Sequence, residues 1–310
     1  MASLLHFGED DVVVQPKVSY PTYEIGTQLA GAQVLKVDDV ADVASWRNVP
    51  GVKAVWVNSP CNPTGEVYSA ERMAGIVAAA REIGAVVLSD ECYALMQWRG
   101  ATNSADDDPL QSTPCALRSD VCAGSAEGVL VLYSLSKQSN MAGYRTAFIA
   151  GDESLIASMS AYRKQIGQII PGPVQAAMAA GLRDLESVKV QHARYRERLG
   201  VLVSALRAYG YCTDMPDGAL YVWVRAKSGD CWTDMEQLAK IGTRSPAPAS
   251  SMVRRNVCVS PPPPATRRSL PQLSAWRAKP IKGFRQSLEA FIGGVRGSPT
   301  PMRLMVMRSC

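Results

Sequence analysis

The sequence predicts an α/β fold built on a mostly parallel sheet. Short, continuous, β-branched apolar runs recur between Asp11 and Val224. Stretches with apolar residues at helical spacing separate several of them, and the joining turns are rich in Pro, Asn and Gly. A run that is apolar along its whole length, rather than alternately, suits a strand buried on both faces, the condition of a parallel sheet covered by helices.

Asp11–Val14 is the first short strand and Gln33–Val37 the second. Ala54–Asn58 (AVWVN) is a third and ends at a Pro/Asn/Gly loop over Ser59–Gly65. Ser69 can cap the helix that follows, where Met73, Ile76, Val77, Ala80 and Ile83 lie on one face. Gly84 marks its end, and AVVLS (85–89) completes a βαβ unit. Ala101–Glu127 is polar and without period, which predicts a surface excursion. GVLVLY (128–133) is the next inner strand, and TAFIA (146–150) follows a Gly143-Tyr144-Arg145 turn. A helix is predicted over Asp152–Gln165. After Pro171-Gly172-Pro173 a long helical stretch reaches Tyr209, interrupted near Gly181, and leads into a second domain. There Ala219–Val224 alternates as a strand and Cys231–Ile241 reads as a helix.

Beyond Gly242 the pattern collapses. Ten of the chain's 20 prolines fall in 243–310, including Pro261–Pro264 in succession, which blocks helix and ladder alike. No convincing strand is seen there, an isolated helix over Ile281–Phe291 is the best element, and the tail is predicted to be largely disordered. Charge divides at the same place. Residues 243–310 hold twelve Lys or Arg against one acid, Glu289, so +11; the preceding 242 residues hold 21 basic and 27 acidic groups, so −6.

The 47% hydrophobic and 20% charged composition is that of a globular chain. No apolar run is long enough to span a bilayer. MASLLHFGEDD has no secretory-signal pattern, so a cytoplasmic location is expected. Eight cysteines without a CxxC pair, and only two histidines, argue against a disulfide framework and a zinc site; no metal is expected.

Three loops follow three inner strands, and open α/β sheets place ligands beyond the carboxyl ends of their strands. The first loop carries Asn62 in Asn58-Ser-Pro-Cys-Asn-Pro-Thr-Gly65. The second carries Asp90 and Tyr93 in Ser89-Asp-Glu-Cys-Tyr93, and the third carries Ser134, Ser136 and Lys137 in Ser134-Leu-Ser-Lys137, followed by Arg145. Singly each has a bland reading: NPTG as a turn, Asp90 as a cap, SLSK as a chance meeting, Arg145 as a surface residue. Jointly they form the set that a phosphorylated pyridinium cofactor needs. A desolvated lysine can lose its proton and attack an aldehyde. A carboxylate keeps the ring nitrogen protonated, so that the ring can take up electrons. Asn and Tyr donors suit a phenolic oxygen, and serine hydroxyls with an arginine suit a phosphate.

These residues resemble the pyridoxal-phosphate (PLP)-dependent aminotransferases of fold type I, class I and II. The family's Asn-Pro-x-Asn-Pro-Thr-Gly run is similar to Asn58–Gly65, its Ser-Asp-Glu-x-Tyr run to Ser89–Tyr93, its Ser-x-Ser-Lys run to Ser134–Lys137, and its Gly-x-Arg to Gly143–Arg145. The resemblance implies pyridoxal 5′-phosphate as cofactor and a mostly parallel large-domain sheet with an incomplete small α/β domain. Lys137 would be the attachment lysine and proton-moving base, Asp90 the partner of the ring nitrogen, and Tyr93 and Asn62 the partners of the ring oxygen. Ser134, Ser136 and Arg145 would hold the phosphate. In Tyr20-Pro-Thr-Tyr23, Tyr20 or Tyr23 would approach the site, and Tyr20 is the one assigned to the cofactor. The wording of DVVVQPKVSYPTYEIG and VNSPCNPTG is nearest to actinobacterial N-succinyldiaminopimelate aminotransferases, of lysine and cell-wall precursor synthesis. That implies a homodimer acting on an amino acid and a 2-oxo acid, with N-succinyl-LL-2,6-diaminopimelate and 2-oxoglutarate as the pair.

The resemblance runs from Leu4 to Gly242, so 1–209 is expected to be the PLP-binding domain with its linking helix, lacking its start, and 210–242 the start of the small domain. The family's Gly-rich phosphate turn would precede Met1, and its carboxylate-clamping arginine strand would follow Gly242. Arg303 is a poor candidate for that arginine. Codon degeneracy lets Ala249–Ser260 be read one base over as Glu-Phe-Tyr-Gly-Pro-Ala-Glu-Arg-Val-Arg-Val-Ala, so 243–310 is expected to be a basic Pro/Arg-rich tail translated out of frame. Two alternatives to amino transfer remain open: a PLP-dependent cysteine-sulfur β-lyase, and a noncatalytic remnant. Nucleic-acid binding by the basic tail is not expected, since no recognisable module interleaves its aromatic and basic residues.

Overall fold

The computed structural model describes residues 1–98, 113–241, 247–248 and 256–259. The chain divides into two compact units. Among the described residues, the first comprises those of Met1–Asn62, Glu66–His192 and Asp217–Ala219, and the second those of Pro63–Gly65, Ala193–Pro216 and Leu220 onward.

The first unit is built on a six-stranded sheet. Its strands in chain order are β1 (Val12–Pro16), β2 (Gln33–Val37), β3 (Val52–Asn58), β4 (Val86–Asp90), β5 (Val129–Ser134) and β6 (Ala147–Gly151). Their spatial order is β2-β1-β3-β4-β5-β6, with all pairs parallel except β5–β6, which is antiparallel. Helix α1 (Thr22–Leu29) joins β1 to β2, and α2 (Ala70–Glu82) joins β3 to β4. The short α3 (Ser119–Cys122) precedes β5, and α4 (Leu135–Gln138) follows it at once. After β6 come α5 (Glu153–Gln165), α6 (Gly172–Arg183) and α7 (Leu185–Ala208), the last running on into the second unit.

Side-chain alternation sorts the strands into two buried layers. Val12, Val14, Val55, Val57, Val87, Val129 and Val131 point to the layer filled by α2 residues Met73, Ile76, Val77 and Ala80. Val13, Ala54, Trp56, Leu88 and Leu130 point to the other, with Tyr23 and Met159. Each fully buried aliphatic side chain contributes about 1.5–3 kcal/mol of transfer free energy. The parity of the second layer continues to the strand ends, where it assigns Gln15, Asn58, Asp90 and Ser134 to one face.

The helix starts follow their caps. Ser69 Oγ accepts the Arg72 N–H at the head of α2, and Asp152 Oδ1 accepts the Leu155 N–H at the head of α5. The predicted break near Gly181 lies instead at Asp184, between α6 and α7. Gly181 is inside α6 because of packing: a Cβ there would stand 2.8 Å from Met141 Sδ and 2.9 Å from Leu135 Cδ2. The predicted surface excursion is also corrected where it is described. Thr113, Ala116, Val121 and Cys122 are buried, and Ala116 and Val121 belong to the α2 layer. Their apolar positions are too sparse to show a period.

The second unit contains β7 (Val222–Arg225), α8 (Cys231–Ile241), β8 (Ala247–Pro248) and β9 (Asn256–Val259). β9 pairs antiparallel with β7 and with β8, in the order β7-β9-β8. This corrects the expectation that no strand follows Gly242. Asn-Val-Cys-Val is short, and only a partner strand makes it legible among prolines. The predicted disorder and the helix over Ile281–Phe291 lie outside the described residues. Asp234 organises the start of α8. Burial works to raise its carboxyl, but the Ser228 and Tyr211 hydroxyls and the Ser228 and Lys227 N–H groups together hold it below the usual range; it accepts Tyr211 Oη at 2.8 Å and Lys227 N at 2.6 Å.

Candidate active site

The carboxyl ends of β3, β4 and β5 lie side by side. Asn58 pairs in register with Asp90, and Asp90 with Leu132, two residues before Ser134. Asn58, buried at the end of β3, stitches two loops together: Nδ2 donates to the Asp90 carbonyl at 2.9 Å and Oδ1 accepts the Asn62 N–H at 2.7 Å. Asn62 is thus held through its backbone, with its side chain half-buried.

Asp90 accepts from Tyr23 and from Cys92. The Tyr23 phenol donates to Oδ2 at 2.7 Å, and the Cys92 N–H donates to Oδ1 at 3.2 Å. Tyr23 is buried, stacks on Trp56 of β3 at 4.1 Å and 11°, and meets Tyr20 edge-on at 5.7 Å. Burial, with Asp90 beside it, pushes the Tyr23 phenol well above its ordinary range, so it remains a donor. The Cys92 thiol is pushed up by desolvation, with Asp90 raising it further and Lys137 opposing.

Tyr93, buried on the turn after β4, lies under Lys137, whose Nζ stands 5.5 Å from the ring centroid. Lys137 sits on the single turn of α4, directly after β5. Ser134 opens that turn as its cap: its Oγ accepts the Ser136 N–H at 3.2 Å and lies 2.9 Å from Ser136 Oγ and 3.2 Å from the Thr146 carbonyl. The turn therefore holds both serine hydroxyls and Lys137 within four residues. Next to Asp90, Glu91 is buried and receives Ser89 Oγ and the Ala116 N–H. Desolvation raises its proton affinity against those two donors.

Of the residues singled out in the sequence, Asp90, Tyr93 and Lys137 come together, with Tyr20 at one remove through Tyr23. Arg145 is not drawn in. It adopts φ 54° and is exposed, and its Nη1 donates to the Ala142 carbonyl at 2.9 Å. Trp56 and Asn58 were missed as site residues, and Tyr23 stood only as the alternative to Tyr20. The Tyr20-Pro-Thr-Tyr23 segment held two tyrosines of equal promise, and the Trp56 stack that selects Tyr23 has no local signature. Among the described residues, no group of three or more His, Cys, Asp or Glu is arranged to hold a metal, and no helix is long and apolar enough to cross a membrane.

Comparison with known proteins accords with this geometry. The family model for aminotransferase class I and II matches residues 1–270. The 4-dedimethylamino-4-oxo-anhydrotetracycline transaminase OxyQ of Streptomyces rimosus is 39% identical over 242 residues, which cover 78% of this chain and 63% of that protein. The probable aminotransferase Rv1178 of Mycobacterium tuberculosis is 39% identical over 223 residues, covering 72% of this chain and 50% of that protein. The chain thus spans between half and two thirds of the length of these relatives. In fold it resembles a solved aminotransferase from Mycobacterium tuberculosis, with a TM-score of 0.72 at 21% identity over 95% of this chain and 72% of that one. With a family model matched over most of its length and a sheet that brings Asp90, Tyr93 and Lys137 together, the chain belongs to the PLP-dependent aminotransferase class I and II family.

Proposed function

We propose that the chain carries the cofactor half of an amino-group-transfer site, which accepts an amino group from an L-amino acid and delivers it to a 2-oxo acid. The observation that carries this reading is the placement of Lys137 Nζ 5.5 Å from the Tyr93 ring, on the strand end beside Asp90. The donor set fits pyridoxal phosphate. It offers one carboxylate with lone pairs left beyond Tyr23 and Cys92, one half-buried amine, one phenol, and two hydroxyls at a helix start.

In this reading Lys137 would attach the cofactor and move the proton at the substrate Cα, with Tyr93 beside it to orient the amine. Asp90 would hold the ring nitrogen, Asn62 and Tyr93 would donate to the ring oxygen, and Tyr20 would pack near the ring. Ser134, Ser136 and Arg145 would bind the phosphate, which for Arg145 would require release of the Ala142 carbonyl. The ring, when bound, supplies a sink for the electron pair left at Cα.

The substrate pair we propose is N-succinyl-LL-2,6-diaminopimelate with 2-oxoglutarate, from the wording of the β1–α1 and β3-end segments, and with it a role in lysine biosynthesis and a cytoplasmic location. We propose a homodimer, consistent with Ile25 and Leu29 standing exposed one turn apart on α1. We propose residues 1–209 as the cofactor domain, 210–242 as the start of the smaller one, and 243–310 as a tail read out of frame. The nucleotide sequence tests that last point: codons that do not spell the family's residues one base over would refute it.

The test of the site uses the full chain. Pyridoxal phosphate is added, the mixture is reduced with borohydride, and the labelled peptide is mapped. A label on Lys137, with a visible absorption band that Lys137→Ala abolishes and that glutamate or the succinylated donor discharges, supports the reading. A label elsewhere refutes it. Release of pyruvate and ammonia from a cysteine derivative, with no keto-acid-dependent transfer, would replace it with β-elimination.

A further inference from the structure

Asp90 closes its site face at the end of β4, and what fixes its carboxylate lies outside the strand. Oδ1 is taken by the Cys92 N–H, two residues along the same turn. Oδ2 is taken by Tyr23, 67 residues away, at 2.7 Å. Tyr23 is held at its ring and at its backbone. Its ring lies flat on Trp56, interplanar angle 11°, and meets Tyr20 edge-on. Its carbonyl accepts Thr27 Oγ1 at 2.8 Å, inside α1. With 4% of its surface exposed, Tyr23 has little room to swing to another acceptor.

We infer that Tyr23 is a positioning residue whose phenol locks the rotation of the Asp90 carboxylate so that its remaining lone pairs meet the cofactor's ring nitrogen, an inference that rests on the reading of the site given above. A carboxylate accepts about four hydrogen bonds, two per oxygen. With Tyr23 on Oδ2 and the Cys92 N–H on Oδ1, rotation about the Cβ–Cγ bond disturbs both bonds together. A neutral phenol suits this task because it fixes the carboxylate without bringing a competing positive charge to pair with it. The stack on Trp56 makes the lock rigid, and Trp56 is itself seated by its register with Leu88, two residues before Asp90. The strand that bears the carboxylate and the strand that bears the stacking platform are therefore neighbours.

The experiment is a cofactor-binding cycle on the full chain, read as the dissociation constant of pyridoxal phosphate from its absorbance. Tyr23→Phe keeps the stacked ring and removes only the hydroxyl. Binding is expected to weaken about ten-fold, the size of one hydrogen bond to a charged group. In an Asp90→Ala background the same substitution is expected to change nothing. Tyr23→His, which keeps a flat ring and an N–H donor, is expected to bind more tightly than Tyr23→Phe. Thermal unfolding of the cofactor-free chains checks that the variants fold, and the Tyr23→His arm carries the test where Tyr23→Phe does not. If Asp90→Ala weakens binding while Tyr23→Phe does not, the inference fails and the reading of the site stands. If Tyr23→Phe weakens binding equally with and without Asp90, the residue acts through its packing and the inference fails. If Asp90→Ala binds as tightly as the unsubstituted chain, the role given to Asp90 falls, and the inference with it.

Discussion

Gly181→Ala is expected to destabilise the chain and loosen the Lys137 turn, whereas Gly75→Ala, the same change in another helix, is expected to stabilise it. Both glycines lie inside helices, α6 and α2, where Ala is favoured over Gly by about 1 kcal/mol. They differ in what a methyl group meets. Nothing lies within 4 Å of a Cβ at Gly75. At Gly181 a Cβ would stand 2.8 Å from Met141 Sδ and 2.9 Å from Leu135 Cδ2, both under a normal carbon contact. Met141 can move, but Leu135 is fully buried and is the first residue of α4. Overpacking of this kind costs about 1–3 kcal/mol. Set against the helix gain, the net loss at Gly181 is about 0–2 kcal/mol, and part of the strain is relieved by shifting α4, which carries Lys137. The assay is denaturant unfolding of both variants with the slope held common, alongside pyridoxal-phosphate binding. Gly181→Ala matching the gain of Gly75→Ala, with binding unchanged, would show that α6 and α4 are not in close contact and would refute the argument.

Two further expectations concern stability. Asp152 is held below the usual carboxylate range, first by the Gly128 N–H at 2.8 Å and then by the Ser154 hydroxyl and the Leu155 N–H. A carboxyl depressed in the folded chain stabilises it above the unfolded-state value, about pH 4, and loses that contribution as pH falls through the folded-state value. Asp152→Asn should therefore lower the unfolding midpoint at neutral pH and flatten its decline in acid, and an unchanged slope would count against the cap. Arg81 closes the loop before β5 by donating to three carbonyls, Glu127 at 3.0 Å, Cys122 at 2.8 Å and Ser125 at 2.6 Å. Arg81→Met, which keeps the stem, should cost about 1–3 kcal/mol and speed amide exchange across 122–128; slow exchange there would refute the assigned role.

Much of the site's frame was legible because the relevant forces are local. A continuous apolar run ending in Asp, Asn or Ser, followed by Pro, Gly or a helix start, marks a strand end, and open parallel sheets bind beyond such ends. Asn62, Asp90, Tyr93, Ser134, Ser136 and Lys137 are singled out that way and lie at or just beyond the ends of β3, β4 and β5, and Ser69 is identified as the cap it proves to be. Less was legible where partners are distant. Thr113–Cys122 read as surface because a few buried residues without a period resemble none, and Asn256–Val259 read as tail because its strand character depends on Val222–Arg225. Gly181 carried a break signal by composition, while its use is a close approach to Leu135.

The sequence by itself determined the six strands β1–β6, the helices α2 and α5, the residues at the ends of β3, β4 and β5, and the chemical class of the group they can hold, since apolar period, turn chemistry and the inventory of donors and acceptors are properties of short segments. Only the tertiary structure decided which tyrosine of Tyr20-Pro-Thr-Tyr23 reaches Asp90, and that Arg145 turns back to Ala142. Those outcomes depend on the Trp56 platform, the β3–β4 register and a left-handed residue at 145. The aromatic stack and the strand register are packing contacts between segments far apart in the chain, and such contacts leave no pattern in any one of them.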